Sequence, residues 1–353
     1  MATITILGAG VMASALSVPL ADNGHTVRLV GTHLDDHIID SLQSSGMHPV
    51  LELSLPAAVE PFHFADAAHA FESTDVVMNG TNSFGVEWIG NTIGQYFQPG
   101  MKFLSITKGM RADDDGTLYT IPQALKRMMQ PEDVQKVTWN AIVGPSIAGE
   151  LAVRHQTCVV FCGEDNESLQ YLADLFRTDY YHIWTSTDFV GYEVGAAFKN
   201  VYAFAMGLAR GLLKHEGKEH DKYVMFNYEA AVFAQAQTEL RQWVEFLGGN
   251  PTLADGLGGV GDMFVTSMGG RNVRAATYVG SGMPFSKVVN GPMKGITLEG
   301  VAAIEVVGKA LERLTDRGIV NASSFPLCRH LYNVVVHDGP FAMPWDLFYQ
   351  TIE

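Results

Sequence analysis

The first half of the chain alternates short apolar runs with longer amphipathic or polar stretches. Residues 4–7, 27–30, 76–78, 103–106, 137–143 and 159–162 each read as a short buried strand. Segments of helical pattern separate them, which predicts parallel βαβ units and a mostly parallel, doubly wound sheet. Near residue 188 the pattern changes. Residues 191–213 are apolar on nearly every side and poor in β-branched side chains, the mark of a helix inside a protein. A second long helix is expected over 227–247, stopping at Gly248-Gly249, with others over 298–315 and 326–336. The fold class is therefore α/β: a doubly wound domain over residues 1–188, then an all-α domain over 189–353.

Composition narrows this further. A chain of 353 residues suits two domains, and 47% hydrophobic with 17% charged residues supplies core material without a disorder signature. The net charge of −15 argues against binding nucleic acid or an anionic membrane. An anionic small molecule must then be drawn by a few local basic groups. Cys158, Cys162 and Cys328 show no CxxC spacing and read as small buried hydrophobes in a reducing compartment. No leader pattern precedes the first strand, and no apolar run approaches the ~18 residues of a membrane span. The expectation is a cytoplasmic protein without stable membrane insertion.

Gly8-Ala9-Gly10-Val11-Met12-Ala13 follows the first strand and opens a helical pattern, giving G-x-G-x-x-A. Glycines let the backbone turn tightly and approach a pyrophosphate, and the helix start presents free N–H groups and a positive dipole end. Strand before and helix after make this a Rossmann-type dinucleotide site formed by Gly8, Gly10, Val11, Met12 and Ala13. The second strand ends in Gly31-Thr32-His33, with neither the acidic residue that favours NAD nor the arginine that favours NADP. Thr32 and His33 are the candidate donors there, and the choice between NAD and NADP stays open.

Four further segments carry candidate chemistry. Lys108, in Ser105-Ile106-Thr107-Lys108-Gly109, comes just beyond a strand, where ligands of open α/β sheets bind. Gly144-Pro145-Ser146-Ile147-Ala148-Gly149-Glu150 also follows a strand and reads as a helix N-terminus. Lys199-Asn200 lies inside the apolar helix, where a lysine costs free energy unless it is paired or functional. Burial lowers the pKa of such an amine, while a nearby Asp262 raises it, and the sequence does not decide which effect wins. In the glycine-rich run around Asp262, Arg271 offers a fork of donors suited to phosphate or carboxylate.

Taken together, these segments resemble the NAD(P)-dependent sn-glycerol-3-phosphate dehydrogenases. The motifs stand in that family's order: GAGxxxxAL at 8–16, TKG at 107–109, GPSxAxE at 144–150, AxKNV at 197–201, GxGDxxxT at 259–266, GGRN at 269–272 and TLEGV at 297–301. The resemblance covers residues 3–335. It implies a cytoplasmic homodimer, linked to glycerophospholipid metabolism, that interconverts dihydroxyacetone phosphate and sn-glycerol 3-phosphate with NAD or NADP. It implies catalytic roles for Lys199, the general acid/base, and for Lys108 and Asp262. Lys108, Gly144, Ser146, Asn200, Thr266, Gly270, Arg271 and Asn272 fall on substrate positions. His33, Lys108, Ala148, Arg271 and Glu299 join the glycine loop as cofactor positions. No metal is implied.

The chain departs from the family pattern in three places. Residues 78–82 lack a proline, the link at 214–222 is longer and highly charged, and Glu229 stands where a basic or neutral residue is expected. The 78–82 and 214–222 departures motivate an alternative reading, a related dehydrogenase of another phosphorylated polyol or 2-keto acid. A dinucleotide-binding sensor without turnover is a third, opposed by Lys199, Lys108 and Asp262. His215 and His220 are five residues apart and do not form a zinc-binding helical pair, and the acidic run at 113–115 lacks calcium-loop spacing.

Overall fold

The computed structural model describes residues 1–218, 220 and 224–348 of the chain. They divide into two compact units, one of residues 1–108 and 121–189, the other of residues 109–120 and the described residues from 190 onward. The first unit is built on an eight-stranded sheet. Its strands are β1 (Thr3–Leu7), β2 (Thr26–Val30), β5 (Val59–Phe62), β6 (Val76–Asn79), β7 (Met101–Ser105), β10 (Val137–Val143), β11 (Thr157–Gly163) and β12 (Tyr181–Ser186). Two small hairpins complete the numbering: β3 (Met47–His48) with β4 (Leu53–Ser54), and β8 (Met110–Ala112) with β9 (Leu118–Thr120).

The sheet order is β12-β11-β10-β7-β6-β1-β2-β5. With the hairpins set aside, the six strands from β5 to β10 have the 3-2-1-4-5-6 order of a dinucleotide-binding sheet, with the crossover reversing between β1 and β6. All pairings in it are parallel except β10 with β11. The carboxyl ends are in register: Leu7 lies beside Val30 and Asn79, and Asn79 beside Ser105. The loops carrying Gly8, Gly31, Gly80 and Ile106 therefore leave the sheet at one level. Ile4, Ile6, Val27, Leu29, Val76 and Met78 are buried, as strands covered on both faces require.

β5 and β12 have no counterpart in the apolar-run reading. β5 is a partly exposed edge strand containing Pro61, and β12 alternates buried with accessible residues. The helix following the glycine loop, α1 (Val11–Asp22), is the expected one, and α2 (Asp36–Ser45) follows β2.

The second unit is helical apart from the β8–β9 hairpin. Its long members are α3 (Phe189–His215), α4 (Phe226–Phe246), α5 (Arg271–Gly280), α6 (Glu299–Asp316) and α7 (Pro326–His337). The expected helices at 191–213, 227–247, 298–315 and 326–336 match α3, α4, α6 and α7 within two residues at either end. α3 is buried over most of its length, with Phe198 stacked on Trp243 of α4 at 4.7 Å between ring centroids. The core continues through Val201, Phe204, Leu240, Ile304, Leu311 and Leu331. No described helix is long and apolar enough to cross a membrane.

Candidate active site

In the first unit the site begins at the end of β1. Gly8 has φ +95°, and a Cβ there would sit 3.2 Å from the Gly80 carbonyl carbon, so both the turn and its close neighbour require glycine. Gly8 donates to the Val30 carbonyl at 2.8 Å. Gly10 is the N-cap of α1 in extended conformation, with no side chain capping the helix, and a Cβ on it would meet nothing within 4 Å. An uncapped helix start behind an open glycine is what a pyrophosphate needs. Gly10, Val11, Met12 and Ala13 form this turn and the first residues of α1.

Beyond β2 the Thr32 hydroxyl donates to Asp35 Oδ2 at 2.8 Å. Asp35, which the strand-end reading passed over, also accepts from the Thr32 and Ala9 amides at 2.8 and 3.2 Å. His33 is exposed, its ring 6.1 Å from that of Trp88.

The strand ends β6 and β7 carry a polar network that sequence reasoning missed. Buried Asn79 donates to Thr107 Oγ1 at 2.9 Å, and the Thr107 hydroxyl donates to the Thr81 carbonyl at 2.7 Å. Asn79 Oδ1 accepts in turn from the Thr81 amide and hydroxyl. Here residues 78–82 are held by hydrogen bonds where a proline would otherwise stiffen the loop. The signal was an asparagine at the end of an apolar strand. The network braces Thr107, and the next residue, Lys108, donates to the Gly144 carbonyl at 3.4 Å. Ser146 Oγ lies 3.9 Å from Met12 Sδ, and Ala148 opens a short helix, Ala148–Ala152, whose N-cap is Ile147 rather than a residue of the Pro-Ser pair.

In the second unit the candidate residues gather around α3. Lys199 is 9% exposed and Asp262 1%, and the Lys199 ammonium donates to Asp262 Oδ1. The local glycines explain the approach. Residues Leu257–Gly261 form a π-helical turn. A Cβ on Gly195 of α3 would lie 3.0 Å from the Gly258 carbonyl, and one on Gly259 only 2.1 Å from the Ala254 carbonyl. Small residues on both sides let the turn lie on α3 and deliver Asp262 to Lys199. A buried lysine is tolerated because the carboxylate neutralises it. Thr266 donates to the Asp262 carbonyl at 2.7 Å, an ordinary helical back-bond.

Three other motifs converge within this unit. Asn272 Oδ1 accepts from the Gly300 amide at 3.1 Å, and a Cβ on Gly300 would sit 2.6 Å from the Asn200 carbonyl oxygen. Arg271 opens α5 after Gly270 (φ +100°) and meets Glu299 at 3.5 Å, with half of its side chain accessible. Arg210, Gly270, Arg271, Arg274, Thr277 and Tyr278 border an opening of about 560 Å³. Glu229, unexpected in sequence, pairs with Arg210 at 3.1 Å. Among the described residues no group of three or more His, Cys, Asp or Glu side chains is placed to hold a metal ion. His215 ends α3 against Phe341, while Glu219, Asp221 and Lys222 of the charged link lie outside the described residues.

A 3-2-1-4-5-6 sheet with an uncapped glycine turn, and a helical unit with a buried lysine–aspartate pair, define a nicotinamide-dependent dehydrogenase. Comparison with known proteins agrees. Residues 3–169 match the N-terminal region, and residues 188–343 the C-terminal region, described as NAD-dependent glycerol-3-phosphate dehydrogenase. The chain belongs to this family, and it is an oxidoreductase using NAD or NADP. It is 35% identical over 302 residues to the NADP(+)-dependent glycerol-3-phosphate dehydrogenase of Archaeoglobus fulgidus, covering 86% of each chain. It is 30% identical to the glycerol-3-phosphate dehydrogenase [NAD(P)+] of Bacillus pumilus, covering 95% of this chain and 90% of the relative. The fold matches the Coxiella burnetii glycerol-3-phosphate dehydrogenase structure with a TM-score of 0.78 at 21% identity, covering 96% of both chains. The Plasmodium falciparum structure gives 0.83 at 18% identity, over 100% of this chain and 96% of that one.

Proposed function

We propose that the enzyme interconverts dihydroxyacetone phosphate and sn-glycerol 3-phosphate, with Lys199 as general acid and base. The observation that carries this is the buried Lys199–Asp262 pair in a family whose relatives bear that substrate in their names. NAD(P)H, when bound at the glycine turn, supplies the hydride that carbon 2 of the ketone accepts. The overall balance is ketone, NAD(P)H and one proton to alcohol and NAD(P)+.

In the reducing direction Lys199 gives its proton to the oxygen on carbon 2, and in oxidation it takes that proton back. Asp262 holds the ammonium in place and keeps its charge compensated in an apolar setting. Lys108 contributes a second positive charge to the developing alkoxide. Arg271 and Asn272 hold the remote phosphate, aided by Gly270, and so orient the ketone. Arg271 is suited because its guanidinium can present two parallel donors to phosphate oxygens. Gly144, Ser146, Asn200 and Thr266 complete the substrate contacts, while Ala148, Glu299 and His33 serve the cofactor. The working state is a homodimer.

The test is to mix the purified enzyme with dihydroxyacetone phosphate and follow loss of NADH or NADPH absorbance. Turnover with either is expected, and the ratio gives the coenzyme preference. Cofactor binding without turnover would overturn the assignment. Faster turnover of a larger phosphorylated ketose or a 2-keto acid would favour the alternative substrate reading, which the sequence departures at 78–82 and 214–222 motivate.

A further inference from the structure

We infer that Asp35 and His48 are positioning residues for the cofactor, acting together on a single peptide unit of the glycine turn. The inference rests only on the nucleotide-binding part of the function proposed above.

The residue they hold is Ala9, between the two glycines and fully buried. Its N–H donates to Asp35 Oδ2 at 3.2 Å. Its carbonyl lies 3.0 Å from His48 Nε2 and also accepts from the Ser14 hydroxyl at 3.2 Å. The His48 tautomer follows from its other nitrogen. Nδ1 faces the amides of Val50 and Leu51 at 3.2 and 3.1 Å, and two N–H donors require a lone pair there. Nε2 therefore carries the hydrogen and donates it to Ala9.

Both holders come from outside the turn. Asp35 precedes α2 and is itself fixed by the Thr32 amide and hydroxyl. His48 is fully buried and comes from the β3–β4 hairpin, a two-residue ladder closed by the Leu55 amide on the Gly46 carbonyl at 3.0 Å. So small a hairpin adds little sheet energy of its own. What it does supply is a rigid imidazole under the cofactor loop.

The geometry separates two sets of backbone groups. The Gly8 amide is spent on Val30, and both polar atoms of Ala9 are spent on Asp35, His48 and Ser14. With this turn locked, Gly10 and the first turn of α1 face the ligand position uncapped. An anion site made of N–H groups works only if their directions are set before the anion arrives, because ordering them on binding subtracts from affinity. Asp35 and His48 do that ordering without touching the ligand-facing amides.

The test is direct cofactor binding, measured by calorimetry with NADH and NADPH on the purified enzyme, beside steady-state kinetics. Asp35→Ala and His48→Leu are each expected to weaken cofactor binding about tenfold, or about 1.4 kcal/mol. The apparent constant for dihydroxyacetone phosphate should stay within about twofold of the parent. His48→Gln, which keeps a donor for Ala9 and an acceptor for the two amides, should recover most of the loss. The double variant should bind little worse than either single one, because both act on one peptide. Circular dichroism monitors folding. Should His48→Leu fail to fold, the partly accessible Asp35→Ala decides alone. Unchanged cofactor affinity in a folded Asp35→Ala variant overturns the inference, as does an equal loss for cofactor and substrate. A parent that binds NADH but does not turn over dihydroxyacetone phosphate sinks the substrate assignment and leaves this one to be judged by binding.

Discussion

In the proposed function, the glycine turn and the Lys199 region are two answers to recognising a charged molecule with a chain of net charge −15. The turn uses backbone. Its ligand-facing groups are amides at the start of α1, and the side chains that matter, Asp35 and His48, sit behind them. The Lys199 region uses side chains. A lysine and an aspartate are buried on packed helices, while Arg271 stands at the accessible start of α5. Dipoles of the first kind bind an anion without burying a net charge. The second kind brings formal charges into an apolar interior and must compensate them, which Asp262 does for Lys199. The difference teaches where each is fragile: the turn to geometry, the lysine region to charge.

The sharpest separation comes from Lys199→Ala. Loss of a general acid/base should lower kcat on the order of 10³-fold, while calorimetric NADH affinity stays within about twofold. Asp262→Asn keeps the shape but leaves the lysine charge poorly compensated. It should cost on the order of 10²-fold in kcat and lower Tm as well. A large change in NADH affinity in either variant would break the distinction between the two regions.

Arg271→Ala should act more gently and on a different parameter. The apparent KM for dihydroxyacetone phosphate is expected to rise about 30-fold with kcat reduced only a few-fold, as for lost binding of a remote phosphate. Arg271→Lys should recover only part, because an ammonium lacks the two-pronged geometry. An unchanged KM in the alanine variant would remove Arg271 from the substrate.

How much of this could be read from sequence follows from the same contrast. The apolar strands and long helices announced themselves because burial imposes a period or a continuous run. Gly8 and Gly10 were legible from spacing, and Lys199 because a charge stood where none belonged. Asp262 was named as a partner for that lysine, and the two side chains do meet. What stayed hidden depends on contacts between distant segments. Asp35 looks like any residue before a helix, and His48 like a loop residue, until each is seen on Ala9. The β8–β9 hairpin gave no sign that it groups with the later helices, where Met110 and Leu118 join the core. The bond between Asn79 and Thr107 likewise joins segments 28 residues apart.

Glu239 is the smallest test and extends the contrast beyond the site. It is fully buried on α4 and accepts from the Leu327 and Cys328 amides at 2.6 and 2.9 Å, so it caps the start of α7 from another helix. Gln235 and Tyr202 donate to the same carboxyl group. Burial pushes its pKa up, and the four donors oppose that rise without cancelling it. A carboxyl group whose pKa is higher folded than unfolded binds more protons in the native state between the two values, so its contribution to stability falls as pH rises through that window. Glu239→Gln keeps an acceptor for the helix start and removes the titration. Its Tm, measured against the parent from pH ~4 upward through the carboxylate range, should gain on the parent as pH rises. Glu239→Leu strands the donors and should lose about 3 kcal/mol. A Tm difference between Glu239→Gln and the parent that does not change with pH would show that this carboxyl group, unlike Lys199, carries no charge cost.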